Sequence, residues 1–102
     1  MAGVPRWTWD PNKAAENLRK HKVSFELAER VMDDPWHASR LDSYPFEERW
    51  QTIGRPSTAS AVVLIVVHTA PRMQEDGEEE GRIISARKAE PSERRAYAEG
   101  KF

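Results

Sequence analysis

The chain has 102 residues and no cysteine, which excludes disulfides, thiol chemistry and cysteine-ligated metal sites. Basic and acidic residues nearly balance, 16 against 17, and 38% of the residues are hydrophobic, as in a globular protein. The longest apolar run, Ala61 to Val67, has seven residues, whereas a membrane helix needs about 20. The first residues also lack the apolar core of a signal peptide. We expect a single domain over residues 1–102 in a cytoplasmic protein.

The acidic residues are unevenly distributed. Five of them lie between Glu75 and Glu80, around Gly77, whereas the rest of the chain carries 12 acidic and 16 basic residues. We expect the acidic run to be a solvated loop that repels polyanions. The mildly basic remainder permits nucleic-acid binding without requiring it.

Two helices are predicted at the start of the chain. Asp10 and Pro11 favour a helix start, because Asp accepts free backbone amides and Pro has none to lose, and this helix should run to His21. Ser24 caps a second helix, which should end before Pro35, since the residue preceding a proline is pushed out of the helical conformation. The expected core stripe of the second helix is Phe25, Ala28, Val31 and Met32.

Four strands and a final helix are predicted after Pro35. The strands should span residues 36–41, 48–54, 61–69 and 82–88. The third is mostly β-branched and should be a central strand covered on both faces. The last helix should open at Pro91 and end at Gly100. The connections are too short for crossover helices, so the sequence predicts an α+β fold with two N-terminal helices, a four-stranded antiparallel sheet and one C-terminal helix.

Several kinds of active site lack support in the sequence. The three histidines, His21, His37 and His68, have neither mutual spacing nor nearby carboxylates typical of zinc motifs, so no metal site is predicted. The glycines are scattered, which argues against a phosphate-binding loop, and Ser85 has no flanking glycine elbow of a serine hydrolase. No cofactor is expected.

Cationic side chains remain on the predicted sheet. On the last strand, alternation places Ile83, Ser85 and Arg87 on one face, and Arg49 shares a face with Gln51 on the second strand. Arginines on a sheet could stabilise the negative charge of a phosphodiester transition state. The alternative is that Arg49 and Arg87 simply pair with nearby acids.

The first helix adds a second polar surface. One side of it collects Lys13, Asn17, Lys20 and His21, which could line a phosphate-binding groove together with the arginines. His68 ends the central strand and could belong to the same groove, or could only end the strand.

An ordered set of short motifs resembles a known family. The matching residues lie in the opening helices, the middle strands and the last strand with its helix. They are Trp9-Asp10-Pro11-x-Lys13, Asn17-x-x-Lys20-His21-x-Val23-x-Phe25-x-x-Ala28, Asp34-Pro35, Glu48-Arg49, Ile53-Gly54, Val66-Val67-x-Thr69, Arg82-Ile83-Ile84-Ser85-Ala86-Arg87-x-Ala89 and Glu93-Arg94-x-x-Tyr97. In this order the motifs resemble the BrnT family of bacterial toxins. The resemblance implies a RelE-like fold and a ribonuclease that forms a type II toxin–antitoxin pair.

The resemblance also implies a mechanism. RNA would be cleaved without a metal ion, as the ribose 2′-hydroxyl attacks the adjacent phosphorus and expels the 5′-oxygen. His21 is the expected general acid or base, with Glu48 as an alternative base, and Arg49 and Arg87 would stabilise the developing charge. The expected substrate contacts are Lys20, Arg82, His68 and Ser85. A competing interpretation makes Arg87 a structural residue paired with Glu93.

The implied partners are RNA and a BrnA-like antitoxin, with two toxins on an antitoxin dimer. Operator DNA would be reached only through the antitoxin, and no membrane contact is expected. Two alternatives stay open. The chain could be a catalytically silent relative that only binds the antitoxin and helps repress the operon, or a structural domain with no nucleic-acid role.

Two positions depart from the family pattern. The family usually has Gly after the Lys20-His21 pair, where this chain has Lys22. Either Lys22 takes the left-handed conformation, at a cost of about 1 kcal/mol, or the helix ends differently. The segment from Ala70 to Gly81 is longer and more negative than expected, and would screen the groove or favour a basic partner.

Overall fold

The computed structural model describes residues 4–102, which form a mixed α+β fold. The helices are α1 (Pro11–His21), α2 (Phe25–Glu29) and α3 (Pro91–Glu99), and a short 3₁₀ helix (Arg30–Asp33) follows α2. The strands are β1 (Arg6–Thr8), β2 (Ala38–Leu41), β3 (Trp50–Gly54), β4 (Leu64–His68), β5 (Arg72–Met73) and β6 (Glu79–Lys88). Across these residues, none of the helices combines the length and apolar character that crossing a bilayer requires.

The six strands form one mixed sheet. Its order is β1-β6-β4-β3-β2, and β5 pairs with the start of β6. Strands β2, β3, β4 and β6 form the antiparallel meander that the sequence predicts, but β1 runs parallel to β6. The predicted four-stranded antiparallel sheet is therefore wrong in the number of strands and in its parallel edge. With three and two residues, β1 and β5 are too short to show an alternating pattern.

The helix arrangement also differs from the prediction. The single helix expected between Ser24 and Pro35 is a five-residue α2 followed by the 3₁₀ turn. The predicted cap is confirmed, because Ser24 Oγ accepts a hydrogen bond from the backbone amide of Leu27 at 3.1 Å. The predicted stripe is also confirmed, since Phe25 and Val31 are fully buried. The local apolar spacing fits both helical forms, so it does not reveal where one changes into the other.

The residues at the two ends of α1 determine where the helix begins and where it ends. The side chain of Asp10 accepts a hydrogen bond from the amide of Asn12 at 2.8 Å, as predicted for a cap. At the other end Lys22 is left-handed, with φ 60° and ψ 28°, and its amide donates to the carbonyl of Leu18. The chain thus adopts the strained alternative, which costs a residue with a side chain about 1 kcal/mol.

Two apolar cores lie on opposite faces of the sheet. The inner core is covered by α1 and α2, and the outer core by α3. The inner core consists of Val23, Phe25, Ala28, Val31, Leu64, Val66, Ile83 and Ala86. The outer core consists of Ile53, Val63, Ile65 and Ala89, with Ala38, Tyr97 and Phe102 packed against it. Strand β4 contributes to both cores, which confirms that it is a central strand covered on both faces.

A single buried amide attaches α1 to the sheet. Asn17 Nδ2 donates to the carbonyls of Ala86 and Val23 at 2.8 and 2.9 Å, and Asn17 Oδ1 accepts from the Ala86 amide at 3.1 Å. Strand β1 pairs with β6 only as far as Arg82, so the Asn17 side chain takes the place of a neighbouring strand at Ala86. The helix therefore lies beside the second half of β6 in a fixed position.

A β-bulge in β6 changes which residues share a face. The pairs between β4 and β6 skip Ile84, which has no partner on β4. Ile83 therefore lies in the inner core with Ala86, whereas Ser85 and Arg87 lie on the outer face. The prediction that all three residues share a face is wrong for Ile83, because the bulge interrupts the alternation.

The acidic run forms the turn of a hairpin, in which Glu75, Asp76 and Glu78 are exposed as expected of a solvated loop, whereas its last two residues belong to a strand. Strand β5 pairs with the start of β6, and Gly77 supplies the turn with a positive φ of 84°. Glu79 and Glu80 lie within β6. Arg6 of β1 donates to Asp76 at 3.1 Å and to Glu80 at 2.9 Å, which ties the hairpin to the edge of the sheet.

The amide that attaches α1 can be tested by an isosteric change. Asn17→Asp keeps an acceptor for the Ala86 amide but replaces the donor to two carbonyls with a buried carboxylate. We expect the free energy of unfolding to fall by about 2–4 kcal/mol in urea denaturation. Asn12→Asp is the matched control, since it adds the same charge to an exposed site in the first turn of the same helix. A stability loss as large in the control would contradict the role of Asn17.

Candidate active site

Four arginines lie on the half of the outer sheet face that α3 leaves uncovered, and we call this surface the arginine face. Paired residues cross it in one row, from Arg40 of β2 through Gln51 and Val67 to Ser85 of β6. Val67 is partly exposed, whereas its neighbour Val66 on the inner face is fully buried. The surface is therefore open to a ligand. Its arginines are Arg40, Arg49, Arg82 and Arg87.

One carboxylate holds two of these arginines together. Glu47 Oε1 accepts hydrogen bonds from Arg49 Nε at 3.0 Å and from Arg82 Nη2 at 2.7 Å. These two bonds lower the pKa of Glu47, Arg82 contributing the most. The Arg49 guanidinium also stacks on Tyr44, 3.7 Å from the centre of the ring. The two guanidinium groups share this one carboxylate, and the charge of Asp42 also acts on Arg49.

Arg87 forms the most regular ion pair. Its guanidinium donates to both carboxylate oxygens of Glu93, at 2.8 and 2.9 Å. Glu93 also accepts from the amide of Glu90 at the start of α3. The hydrogen bonds from Arg87 lower the pKa of Glu93 to about 2, and those same bonds raise the pKa of Arg87. This is the pair proposed by the structural interpretation of Arg87, and it joins β6 to α3.

Arg40 is a cation of this surface that the sequence analysis missed. Its Nε donates to Gln51 Oε1 at 2.9 Å, and its guanidinium lies 4.0 Å from the ring centre of Phe102. Gln51 is itself held by Asp42, to which it donates at 2.6 Å. Setting the register of the β2–β3 hairpin would have placed Arg40 opposite Gln51 and identified it.

A small pocket at the edge of β6 brings together three of the predicted residues, and we call it the edge pocket. It has a volume of about 240 Å³, and Lys20, His21 and Ser85 line it. Asn17 lies in the same pocket, so the amide that attaches α1 also positions the lysine and the histidine. Because Ser85 belongs to the row that crosses the arginine face, the edge pocket opens beside that face.

The two predicted bases lie in different pockets. Glu48 lines a cavity of about 350 Å³ together with Arg82, Thr8 and Thr69, whereas His21 lies in the edge pocket. Glu48 Oε1 also accepts a hydrogen bond from the indole of Trp50 at 3.1 Å. The structure therefore does not bring the two predicted bases into one pocket.

His68 is only 6% exposed and lies on the inner face. Its Nδ1 lies 2.9 Å from the carbonyl of Thr69 and donates to it, so Nε2 accepts from the Thr52 hydroxyl at 2.6 Å. Thr52 in turn accepts from the Ser39 hydroxyl at 2.6 Å. Burial lowers the pKa of His68, and the edge of the Trp7 ring packs against it. Its side chain is enclosed rather than presented to a substrate.

The described residues also bear on metal binding. Across residues 4–102, no three His, Asp or Glu side chains lie close enough to hold a metal ion together. The edge pocket and the cavity beside Glu48 gather arginines, lysines, a histidine and hydroxyls, which suit recognition of a phosphate anion, but also the carboxylates of Glu16, Glu47, Glu48 and Glu80.

Fold and surface together define a small α+β protein with an arginine-rich open sheet face. A structure search finds the crystal structure of the Brucella abortus ribonuclease toxin, BrnT, with a TM-score of 0.57 and 19% identity, covering 85% of this chain and 99% of that chain. The family model described as a ribonuclease toxin, BrnT, of a type II toxin–antitoxin system matches residues 9–93. The chain therefore belongs to the BrnT family of ribonuclease toxins. No curated protein matches it.

The Arg87–Glu93 pair predicts a pH dependence of stability. The pKa of Glu93 is about 2 in the folded protein and 4.5 without the pair, so its contribution is complete above pH 4.5 and disappears as the pH falls toward 2. We expect Glu93→Gln to remove on the order of 1–2 kcal/mol of the stability lost between pH 7 and pH 3, since solvent screens the partly exposed pair. The measurement is urea denaturation at several pH values.

The matched control for this measurement is Glu75→Gln, which removes a carboxylate from an exposed position of the acidic hairpin. Its acid sensitivity should equal that of the unmodified protein. If Glu93→Gln also leaves the acid sensitivity unchanged, the pair does not shift the pKa of Glu93.

Proposed function

We propose that this BrnT-family protein cleaves RNA without a metal ion and is neutralised by a BrnA-like antitoxin. The observation that carries the proposal is the edge pocket, where Lys20, His21 and Ser85 meet beside the arginine face. A phosphodiester needs cations around its oxygens and a group that moves protons, and this junction offers both. The whole of residues 1–102 would act as one RelE-like toxin domain in the cytoplasm.

In the proposed reaction, a base removes the proton of the ribose 2′-hydroxyl. The 2′-oxygen forms a bond to the adjacent phosphorus, the bond from phosphorus to the 5′-oxygen breaks, and the leaving oxygen takes up a proton. His21 is the proposed proton-transfer group, because imidazole can both accept and donate a proton near neutral pH. The products are a 2′,3′-cyclic phosphate and a 5′-hydroxyl.

The arginines have two proposed roles. Arg40, Arg49 and Arg82 would bind the RNA backbone, since their guanidinium groups lie on the open part of the outer face. Arg87 would stabilise the charge that develops on the phosphate, while Lys20 and Ser85 contact the same group. Glu93 holds Arg87 in the free protein, so a phosphate would have to share or replace that carboxylate. Glu48 stays an alternative base for a substrate bound in the neighbouring pocket.

The proposed partners follow the family. We propose that two toxins bind one antitoxin dimer, that operator DNA is contacted only through the antitoxin, and that no membrane is involved. A second candidate function is that of a catalytically silent toxin that only binds the antitoxin and helps repress the operon. The pairing of Arg87 with Glu93 and of Arg49 with Glu47 favours this second candidate, because it partly neutralises the face.

Cleavage by the purified protein is expected to persist in excess EDTA, because the proposed chemistry uses side chains alone. Its products should carry 2′,3′-cyclic phosphates, as measured by mass spectrometry of a short RNA. The matched substrate has a 2′-deoxyribose at the cleaved position and should resist cleavage. Activity that disappears on chelation and returns with Mg²⁺ would overturn the mechanism.

Replacement of Arg87 tests its proposed role in the chemical step. Arg87→Ala should slow single-turnover cleavage 10²–10³-fold, about 2.7–4 kcal/mol, and Arg87→Lys should restore only part of it. RNA affinity should fall far less than the rate, because ground-state contacts are spread over several cations.

The control for Arg87 is a stability measurement on the same proteins. Loss of the Glu93 pair will lower the melting temperature, so cleavage is measured well below it. Arg95→Ala, an exposed change in α3, should alter neither property. A variant at Arg87 that melts several degrees lower yet cleaves at the normal rate would assign Arg87 a structural role alone.

A further inference from the structure

A third and larger concavity lies between α3 and the loops at the far end of the sheet from the acidic hairpin. It has a volume of about 680 Å³ and is lined by Trp36, Arg55, Val63, Arg94, Tyr97 and Ala98, among others. We call it the α3 groove. It contains none of the residues proposed for RNA cleavage.

The floor of the α3 groove is held rigid by a hydrogen-bonded network. Tyr97 Oη donates to Asp34 Oδ2 at 2.6 Å, and Asp34 Oδ2 also accepts from the Arg55 amide at 2.8 Å. Burial alone would raise the pKa of Asp34, but the bonds from Tyr97 and two amides outweigh it and lower that pKa. A groove whose walls are already fixed loses little entropy when a ligand binds.

Within residues 4–102, the α3 groove presents a largely exposed indole and two arginines that form no ion pair, although the charge of Asp34 acts on Arg55. The Trp36 side chain is 71% exposed, although indole is among the side chains that gain most from burial. Arg55 and Arg94 donate only to neutral oxygens, those of Tyr97 and Ala89, and no carboxylate of residues 4–102 lies within ion-pair distance of either. The carboxylate of Glu99 at the rim is directed to Lys101 instead.

The charge of the surface continues beyond the α3 groove. Ser60 lines both this groove and a neighbouring apolar depression bordered by Lys22, Arg30 and Lys88. Within residues 4–102, these three cations form no ion pair either. An apolar surface bordered by unpaired cations fits a peptide that carries apolar side chains flanked by carboxylates. RNA would match the charge, but not the apolar lining around an exposed tryptophan.

We propose that the α3 groove is the docking site for an acidic, apolar segment of the antitoxin, in which an apolar side chain packs against Trp36 and carboxylates pair with Arg55 and Arg94. The inference rests on the proposed function, since it takes the antitoxin as the partner. Arg94 and Glu93 lie on the same helix, so the α3 groove is built on the element that also holds Arg87.

The test uses the full toxin and the full BrnA-like antitoxin that the proposed function assigns to it. Arg94→Glu and Trp36→Ala should each weaken antitoxin binding at least tenfold, as measured by titration calorimetry. RNA cleavage in the absence of antitoxin should be unchanged, and more antitoxin should be needed to inhibit it. The loss from Arg94→Glu should shrink as salt is raised, whereas the loss from Trp36→Ala should persist.

One control variant changes a neighbouring arginine of the same helix, and another removes a different exposed aromatic side chain. Arg95→Glu makes the same charge change at the next position of α3, outside the groove, and Phe46→Ala removes a ring that is 84% exposed elsewhere. Both should bind the antitoxin normally. Melting temperatures of all four variants check that Arg94→Glu acts on binding and not on folding.

The outcomes separate this proposal from the proposed function. Unchanged antitoxin affinity in both groove variants, or an equal loss in Arg95→Glu, overturns the docking site. Weaker RNA binding by Arg94→Glu with normal antitoxin affinity would assign the groove to RNA instead. If the unmodified toxin binds antitoxin but does not cleave RNA, the ribonuclease proposal fails, and the binding measurements still decide the docking site.

Discussion

The side-chain amide of Asn17 is the contact on which both the fold and the candidate site depend. Strand β6 is flanked by β4 on one side, but β1 covers only the beginning of its other side. Farther along β6, the Asn17 side chain accepts a hydrogen bond from the Ala86 amide at 3.1 Å and donates one to the Ala86 carbonyl at 2.8 Å. This contact sets the position of α1 along the strand. As a consequence, Lys20 and His21, one turn later, lie beside Ser85.

Local features of this fold could be predicted because local chemistry determines them. Asp10 and Ser24 cap their helices through their own side chains, and the apolar run around Val66 marks the central strand. What could not be predicted depends on distant partners. The three residues of β1 become a strand only because β6 is present to pair with them, and the acidic hairpin is held by Arg6 from that strand. Neither pairing leaves a periodic signal in the sequence.

The residue types of the candidate site could be predicted from the sequence, but not which of those residues lie together. The alternation of side chains along β6 correctly predicted that Ser85 and Arg87 share a face. The bulge at Ile84 places Ile83 on the opposite face, and a bulge cannot be predicted from the residue pattern. Arg40 was missed because its importance lies in its cross-strand partner, Gln51. His68 has the residue type of an active-site group, yet the packing of Trp7 encloses it. Burial is a property of the assembled sheet, which the identity of one residue does not determine.

The distribution of charge on the outer face gives the proposed RNA path a direction. Arg87 is fully matched by Glu93, whereas Arg49 and Arg82 share one carboxylate, and Arg40 contacts only neutral groups. Arg40 and Arg49 therefore lie toward β2 and the start of β3, with the carboxylate of Asp42 near both, and the edge pocket lies beyond β6. Since neighbouring strands are about 4.8 Å apart, the row from Arg40 to Ser85 spans roughly 14 Å. In the proposed path, an RNA strand held by Arg40 at one end of this row would reach His21 at the other, which would separate binding from proton transfer on one surface. Because both oxygens of Glu93 hold Arg87, a phosphate must compete with that carboxylate, and the contact with Arg87 is suited to form late, when the charge on the phosphate is greatest.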